Sequence, residues 1–341
     1  MQVGIMGLER SGKTTLFRAL SSSREAAEGI ATVKVPDERV SILSEMFKPK
    51  KTTYPTVVFR DVDISLDDDG SFSAKTVQAI REAEALTVVL RNFRNDAVAH
   101  PGITVDPVRD LKEIEDTLFL TDLMQIERRM DRLAREQKKD REYLLLRRLF
   151  GDLEKGVPII RQGLTGDEKK AVAGFRFLSL KPLLVAVNKD EDDGFENNSI
   201  IRYCEERGYN HVTFYGKIEE EIGMLPFEEQ KAFIDDIGLG ESAMVRFVNS
   251  CYSMLDLISF FTVGEDEVRA WNIRRGSTAV EAAGRIHSDI AKGFIRAETV
   301  YYQELLDAGS FKVLKNQGRL RLESKEYEVL DGEIMHFRFN L

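Results

Sequence analysis

Cysteine and long hydrophobic runs are scarce in this chain of 341 residues, and each scarcity excludes a class of protein. The only cysteines, Cys204 and Cys251, cannot build a disulfide framework and favour a reducing compartment. No apolar run reaches the length of a membrane span, and the start, MQVGIMG, lacks the basic region of a signal peptide. We therefore expect a cytoplasmic protein with no membrane partner.

Histidine and positive charge are also in short supply. The four histidines are scattered without metal-ligand spacing, which argues against a protein zinc site. A net charge of −9 excludes a protein that binds nucleic acid with its whole surface. One local exception is Glu127–Arg148, where nine basic residues outnumber five acidic ones. The chain is too long for one ordinary domain, so we expect two or three.

The stretch GLERSGKT at Gly7–Thr14 fits the phosphate-loop pattern G-x-x-x-x-G-K-[ST]. It follows a short apolar strand pattern, QVGIM, and precedes a helix pattern, KTTLFRALSS, with its apolar residues on one side. Strand, glycine loop and helix is the order that points backbone N–H groups and the positive end of the helix dipole at phosphates. Lys13 would then reach the β- and γ-phosphates, and the Thr14 hydroxyl would bind Mg²⁺.

Two charged residues, Glu9 and Arg10, stand in the loop where many such loops carry small or neutral residues. A triphosphate repels a carboxylate, so we expect Glu9 to point outward or to pair with Arg10. Arg10 has two interpretations: a solvated side chain at the loop edge, or a cation that acts with Lys13 beside the transferring phosphate. The loop residues expected at the nucleotide are Glu9, Arg10, Ser11, Gly12, Lys13, Thr14 and Thr15.

A second polar cluster, NKDE at Asn188–Glu191, follows the apolar strand pattern Leu183–Val187. Open α/β sheets bind ligands at the carboxyl ends of their parallel strands. GTP-binding proteins have N-K-x-D here, and the Asp accepts hydrogen bonds from guanine. Because Glu191 is one methylene longer, we expect weaker guanine recognition, and adenine becomes admissible. The residues expected on the base side are Asn188, Lys189, Glu191, Gly216 and Lys217.

Five long strings carry a family resemblance: KVPDERVSILSEMFKPKK, VDPVRDLKEIEDTLFLTDL, KPLLVAVNKDEDD, ISFFTVGEDEVRAWNIRRGSTAVEAAGRIHSDIAKGFIRAE and DGEIMHFRFN. Together they resemble the YchF-type members of the Obg-like P-loop NTPases over nearly the whole chain. The resemblance implies an enzyme that prefers ATP, associates with ribosomes and is linked to translation. It also marks His100, in AHPGITVDP, as a helper near the nucleotide; an isolated surface histidine is the alternative.

The same resemblance implies an α/β fold in three parts. A P-loop NTPase G domain, with a mostly parallel sheet flanked by helices, covers residues 1–108 and 178–256. A helical coiled-coil hairpin is inserted at 109–177, and a β-grasp, ubiquitin-like TGS domain covers 257–341. The residue pattern agrees, because apolar residues recur at mostly helical spacing from Asp110 to Leu133 and again from Tyr143 to Leu153.

The basic hairpin has two interpretations. It is either a solvated, charged coiled coil or a contact surface for RNA, and the family resemblance favours RNA or the ribosome. In the second case its cations bind phosphates. The candidates are Arg128, Arg129, Arg132, Arg135, Lys138 and Lys139.

The switch region departs from the family pattern. Asp61 ends an apolar strand and suits a Mg²⁺ ligand, but Ile64 stands where D-x-x-G has a glycine. A β-branched residue cannot adopt the conformations that let a glycine N–H approach the γ-phosphate. Binding needs the loop and Asn188, whereas cleavage needs ordered switches. We therefore expect ATP or GTP to bind with Mg²⁺, and hydrolysis to be slow or absent.

The sequence supports two functions. The first is an ATP-preferring nucleotide-binding protein, a slow ATPase if it is an enzyme, that works near the ribosome. The alternative is a pseudo-NTPase adaptor that binds nucleotide without hydrolysis and presents the hairpin and TGS domain to RNA or protein. Phosphate release that depends on Mg²⁺ separates the two.

Overall fold

The computed structural model describes residues 1–21, 29–95, 104–191, 198–225, 227–237 and 240–340. Contacts divide the chain into two compact units, and both are discontinuous in sequence. The first comprises Met1–Val33 and Val58–Cys251, and the second comprises Lys34–Val57 and Tyr252–Leu341.

Strands and helices alternate through most of the described chain. The strands are β1 (Gln2–Met6), β2 (Ile30–Lys34), β3 (Lys51–Thr53), β4 (Thr56–Asp61), β5 (Ala85–Arg91), β6 (Leu183–Lys189), β7 (Asn210–Tyr215), β8 (Leu257–Val263), β9 (Glu267–Arg274), β10 (Phe294–Tyr301), β11 (Arg321–Glu323) and β12 (Glu333–Phe339). The helices are α1 (Lys13–Leu20), α2 (Glu38–Phe47), α3 (Ala74–Glu82), α4 (Pro107–Arg135), α5 (Arg141–Leu153), α6 (Gly166–Val172), α7 (Ser199–Arg207), α8 (Gly216–Met224), α9 (Phe227–Asp236), α10 (Ala243–Met254), α11 (Ala279–Ile286), α12 (Ser288–Lys292), α13 (Tyr302–Ala308) and α14 (Phe311–Asn316). Short 3-10 turns lie at Ile159–Arg161 and Ala173–Phe175.

The first unit is built on a six-stranded sheet in the order β2-β4-β1-β5-β6-β7. The five strands from β4 to β7 in this order pair in parallel. Every residue of β5 is buried, which is typical of a parallel strand covered on both faces. Parallel pairing brings the carboxyl ends of these strands to one edge, so Met6, Asp61 and Lys189 end their strands on the same side of the sheet.

The predicted helical hairpin is present as α4 and α5, which belong to the first unit. Buried leucine and isoleucine residues, including Ile126 and Leu146, belong to the core cluster that holds the two helices. Arg129 donates two hydrogen bonds to the Glu142 carboxylate, at 2.7 and 2.9 Å. The Asp140 side chain accepts hydrogen bonds from the first backbone N–H groups of α5 and so fixes where that helix begins.

The second unit has its own six-stranded sheet, in the order β11-β10-β12-β8-β9-β3. The last strand, β12, lies parallel to β8, and antiparallel neighbours flank this pair. Phe260 and Phe261 alternate along β8 and belong to different core clusters, so the sheet has a core on each face. A mixed sheet with its first and last C-terminal strands parallel and a helix between them is the β-grasp arrangement, as predicted.

Residues 34–57 pack with this second sheet, although the sequence predicts a nucleotide-binding domain that runs from 1 to 108. Strand β3 pairs in parallel with β9, where Thr52 is opposite Val268. Val40 and Leu43 of α2 share a core cluster with Phe261. A stretch from the early part of the chain thus supplies an edge strand and one covering helix.

Both cysteines are free and buried. Burial raises the pKa of the Cys204 thiol, and that of the Cys251 thiol, to about 12. Neither sulfur is therefore a thiolate at neutral pH, and neither is activated as a nucleophile. In the described part of the chain, no helix combines the length and the apolar character that crossing a membrane requires.

Candidate functional site

A cleft of about 880 Å³ opens at the carboxyl edge of the first sheet. Most residues predicted to bind nucleotide line it, and so do several that were not predicted. The predicted ones are Glu9, Arg10, Gly12, Lys13, Thr14, Thr15, Asp61, Asn188, Lys189, Gly216 and Lys217. Gly7, Leu8, Ile64 and Asp190 belong to the sequence motifs discussed above, and they line the cleft as well. Asp63, Phe93 and Asn95 also line it, and they were not named above as site residues. Phe93 and Asn95 follow the apolar strand β5, and that signal could have identified them.

The phosphate loop joins β1 to α1, and Gly12 is the last loop residue before α1. Gly12 has φ 96°, a left-handed conformation that favours glycine. A Cβ atom at this position would lie 2.0 Å from Asn188 Nδ2, so only glycine fits. The loop, the start of α1 and Asn188 of β6 are therefore in close contact.

Asn188 is buried, with 4% of its surface exposed, and both ends of its side-chain amide are engaged. Its Nδ2 donates to the Ser11 carbonyl oxygen at 3.2 Å, and its Oδ1 accepts from the Gly216 backbone N–H at 3.1 Å. The sequence predicts a base-side role for this residue. In the structure its amide ties the phosphate loop to the first residue of α8.

Lys13 points toward the end of β4 and is surrounded by oxygen atoms. Its Nζ lies 2.6 Å from Asp61 Oδ1, and it donates hydrogen bonds to Asp63 Oδ1 at 3.2 Å and to the Val62 carbonyl oxygen at 3.3 Å. The Lys13 side chain is 15% exposed, whereas that of Asp63 is 74% exposed. The ammonium therefore has two carboxylate neighbours, one in the cleft and one at its rim.

The oxygen atoms near Lys13 fit a magnesium ion bound together with a nucleotide. Asp61 Oδ1 is buried and accepts no hydrogen bond within the described residues, so the Lys13 charge is its main compensation. Thr14, in the first turn of α1, lines the same cleft. Among the described residues, no group of three or more His, Cys, Asp or Glu side chains is placed to hold a metal ion by itself. Mg²⁺ needs no such cluster, because phosphates and water supply most of its ligands.

The base side of the cleft contains an ion pair that the sequence did not indicate. Lys217 Nζ lies 2.8 Å from Asp190 Oδ2, and the Asp190 side chain is mostly buried. Glu191, the residue that distinguishes this motif from N-K-x-D, is exposed and lies outside the cleft lining. The residue at the guanine-binding position of the motif is thus exposed, while the preceding Asp190 lines the cleft.

The two unusual loop residues, Glu9 and Arg10, are exposed at the cleft. Arg10 has φ 62°, and a left-handed conformation costs a non-glycine residue about 1 kcal/mol or more. Ser11, also predicted at the nucleotide, is buried, and its carbonyl oxygen accepts from Asn188. The candidate helper His100 lies outside the described residues.

Comparisons with known proteins agree with this architecture. The family model YchF-GTPase_C, described as a protein of unknown function (DUF933), matches residues 257–340. The chain is 36% identical to the ribosome-binding ATPase YchF of Bacillus subtilis, over all of both chains. It is also 36% identical to that of Haemophilus influenzae and 35% identical to that of Escherichia coli O157:H7, over 99% of each chain.

A solved structure extends the agreement to three dimensions. The Schizosaccharomyces pombe YchF GTPase superposes with a TM-score of 0.90 at 27% identity, and the match covers 99% of this chain and 97% of that one. Full-length identity above one third, together with the shared architecture, identifies this chain as a member of the YchF family.

Proposed function

We propose that this protein is a ribosome-binding ATPase that binds ATP with Mg²⁺ in the cleft of the first unit. The observation that supports this most strongly is the Asn188 amide, which ties the phosphate loop to the start of α8 in a cleft that contains Lys13, Thr14 and Asp61. The curated relatives compared above are all described as ribosome-binding ATPases. Nothing in them supports the alternative of an adaptor that never hydrolyses its nucleotide.

In the proposed complex, the chain's own residues bind and orient the triphosphate. The N–H groups at the start of α1 donate to phosphate oxygens, where the helix dipole favours negative charge. Lys13 leaves its carboxylate partners and moves to the β- and γ-phosphates. Thr14 and Asp61 would supply the protein oxygens for Mg²⁺, and the bound ion would neutralise charge on the phosphates during transfer of the γ-phosphoryl group to water.

We propose that the bound base is adenine, because of where the Glu191 side chain lies. Its carboxylate is exposed and outside the cleft lining, so a bidentate contact with guanine would require it to turn inward. Guanine stays the second candidate, because the Schizosaccharomyces pombe relative is described as a GTPase. Competition between the two nucleotides separates these cases.

Hydrolysis is proposed to be slow. Ile64 lines the cleft three residues after Asp61, where a glycine N–H would otherwise approach the γ-phosphate. Its side chain limits how closely the backbone can approach. Arg10 lines the same cleft and is our candidate for a second cation that stabilises the transferring group. His100 stays a candidate helper.

The hairpin is proposed to contact ribosomal RNA, with the C-terminal β-grasp unit as a second contact. Residues 135–141, around the turn from α4 to α5, are all exposed. Arg132 and Lys138 pair with Glu136, whereas Arg135 and Lys139 make no ion pair with any described residue. Unpaired, exposed cations at the end of a hairpin suit phosphate contacts. We propose that a protein with this role works in the cytoplasm. The division into three functional parts, with boundaries at 109, 178 and 257, stays a proposal, except that residues 34–57 belong with the C-terminal unit.

Two measurements test the proposed function. Calorimetric titration with ATP and with GTP, with and without Mg²⁺, measures binding, and phosphate release in the same samples measures hydrolysis. We expect ATP to bind more tightly than GTP. We expect the K13A variant to lose both nucleotide binding and phosphate release. Phosphate release no faster than that of K13A would refute the ATPase.

Ribosome binding is tested by co-sedimentation over a range of salt concentrations. The R135A/K139A variant should bind the ribosome more weakly. Its log affinity should also fall less steeply with log salt, by roughly 1–2 in slope, because each phosphate contact contributes about 0.7–0.9 to the steepness. K75A is the control for the single variants R135A and K139A, since Lys75 is an exposed cation on α3 outside the hairpin. An unchanged slope in R135A/K139A would refute the RNA contact.

A further inference from the structure

Asp63 is the second acid beside the phosphate-loop lysine, and neither the motif nor the family comparison assigns it a role. It lies two residues after the end of β4 and lines the cleft. Its Oδ1 accepts a hydrogen bond from Lys13 Nζ at 3.2 Å, while 74% of its side chain is exposed. Asp63 therefore reaches Lys13 from the rim, whereas Asp61 contacts it with a buried Oδ1.

One ammonium between two carboxylates leaves this group of three side chains with a net negative charge. A triphosphate needs the same ammonium, so binding must break both ion pairs of Lys13. It also brings phosphate charges to within a few ångströms of two freed carboxylates. Like charges repel at that distance, and the cleft excludes part of the screening water. The free cleft thus disfavours a triphosphate that carries no metal.

Magnesium reverses the sign of this interaction. A Mg²⁺ ion bound with the phosphates would add positive charge near the two carboxylates, so each acid would gain an attractive interaction that offsets the repulsion. Asp61 is the acid that fits direct contact, because its oxygen is buried and lacks a hydrogen bond. Asp63, which is further out and mostly exposed, contributes charge at the rim.

We propose that Asp63 makes nucleotide binding conditional on Mg²⁺, by holding Lys13 in the free protein and repelling a triphosphate that arrives without the metal. This inference rests on the proposed ATP binding in the cleft. Asp63 acts as a specificity-determining residue at the rim: it discriminates between free and metal-bound nucleotide. The role requires the side-chain charge and not its hydrogen bonds alone.

The test compares ATP affinity with Mg²⁺ and with EDTA in the full-length protein, by calorimetry. In D63N, we expect affinity for metal-free ATP to rise about fivefold, the size of one solvent-screened charge interaction over about 4 Å. Affinity for Mg²⁺-ATP should change less than about threefold, because lost repulsion and lost attraction to the metal offset each other. The ratio of the two affinities therefore falls. D63E should restore most of the ratio, since it keeps the charge.

D67N is the matched control. Asp67 is an exposed acid four residues further along the same segment, outside the cleft lining, and its removal changes the net charge by the same amount. If D67N lowered the ratio of the two ATP affinities as much as D63N does, the cause would be overall charge. That result would overturn the role of Asp63. An unchanged ratio in D63N, with normal ATP binding by wild type, would overturn this inference alone. Absence of ATP binding by wild type under both conditions would overturn the proposed function as well.

Discussion

Replacing Asn188 by alanine tests whether the amide bridge is what holds the phosphate loop in shape. The change removes two hydrogen bonds, of 3.2 and 3.1 Å, and leaves the Ser11 carbonyl and the Gly216 N–H without their partner. Both of those residues are buried. An unpartnered buried polar group costs about 1–3 kcal/mol, so we expect N188A to lose roughly 2–4 kcal/mol of unfolding free energy. For a unit of this size that corresponds to a fall in Tm of roughly 5–15 °C.

The same variant distinguishes a loop-supporting role from a base-reading one. If Asn188 acts through the loop, N188A weakens binding of ATP and of inorganic tripolyphosphate by the same factor. That factor is about ten for each 1.4 kcal/mol of binding free energy that the two hydrogen bonds contribute. If it reads the base, only ATP binding is weakened. Calorimetric titration measures both affinities, and thermal unfolding followed by circular dichroism measures Tm.

A neighbouring asparagine provides the control. Asn198 is exposed, precedes α7 and makes no side-chain capping hydrogen bond, so N198A should stay within about 0.5 kcal/mol of wild type. A Tm for N188A equal to that of N198A would refute the bridge. So would normal affinity for tripolyphosphate.

Three further predictions follow from single side chains. G12A forces a left-handed backbone onto alanine and a Cβ into contact with Asn188, so it should abolish ATP binding in calorimetry; binding within threefold of wild type would contradict the geometry. Burial raises the pKa of Asp122 to about 6, so the folded protein binds this proton more tightly than the unfolded chain does. The contribution of the bound proton to the unfolding free energy is therefore lost as pH rises from about 4 to about 7. The unfolding free energy of D122N minus that of wild type should therefore increase over this range, by on the order of 3 kcal/mol, in urea titrations; a flat difference would refute it. R10A should lower the rate of phosphate release at least tenfold while ATP affinity stays within threefold, and equal losses in both would exclude a catalytic cation.

The sequence predicts correctly those features of the fold that depend on local patterns. The strand, glycine loop and helix at residues 2–20 are one such feature, while phosphate binding by the N–H groups of these consecutive residues stays a prediction. The hairpin follows from apolar spacing in α4 and α5. Both features need only neighbouring residues, so one sequence suffices to find them.

The features that sequence reasoning missed depend on residues far apart in the chain. The contact of Asn188 with Ser11 joins positions 177 residues apart, and that of Lys13 with Asp63 joins positions 50 apart. Nothing in the letters NKDE shows whether the amide faces a base or a backbone carbonyl. The sheet order decides this, because it brings the ends of β1, β4 and β6 to one edge.

The placement of residues 34–57 has a consequence for how the protein is made. Strand β3 must wait for β9, whose partner residue Val268 is synthesised 216 positions after Thr52. Until then the apolar side of α2, with Val40 and Leu43, has no sheet to cover. Pairing two strands that are so far apart in sequence is slow. Until they pair, the exposed apolar surface of α2 increases the tendency to aggregate. The C-terminal sheet is therefore complete only in the full chain, and a fragment that begins at residue 257 would have an unpaired edge at β9 and an uncovered face.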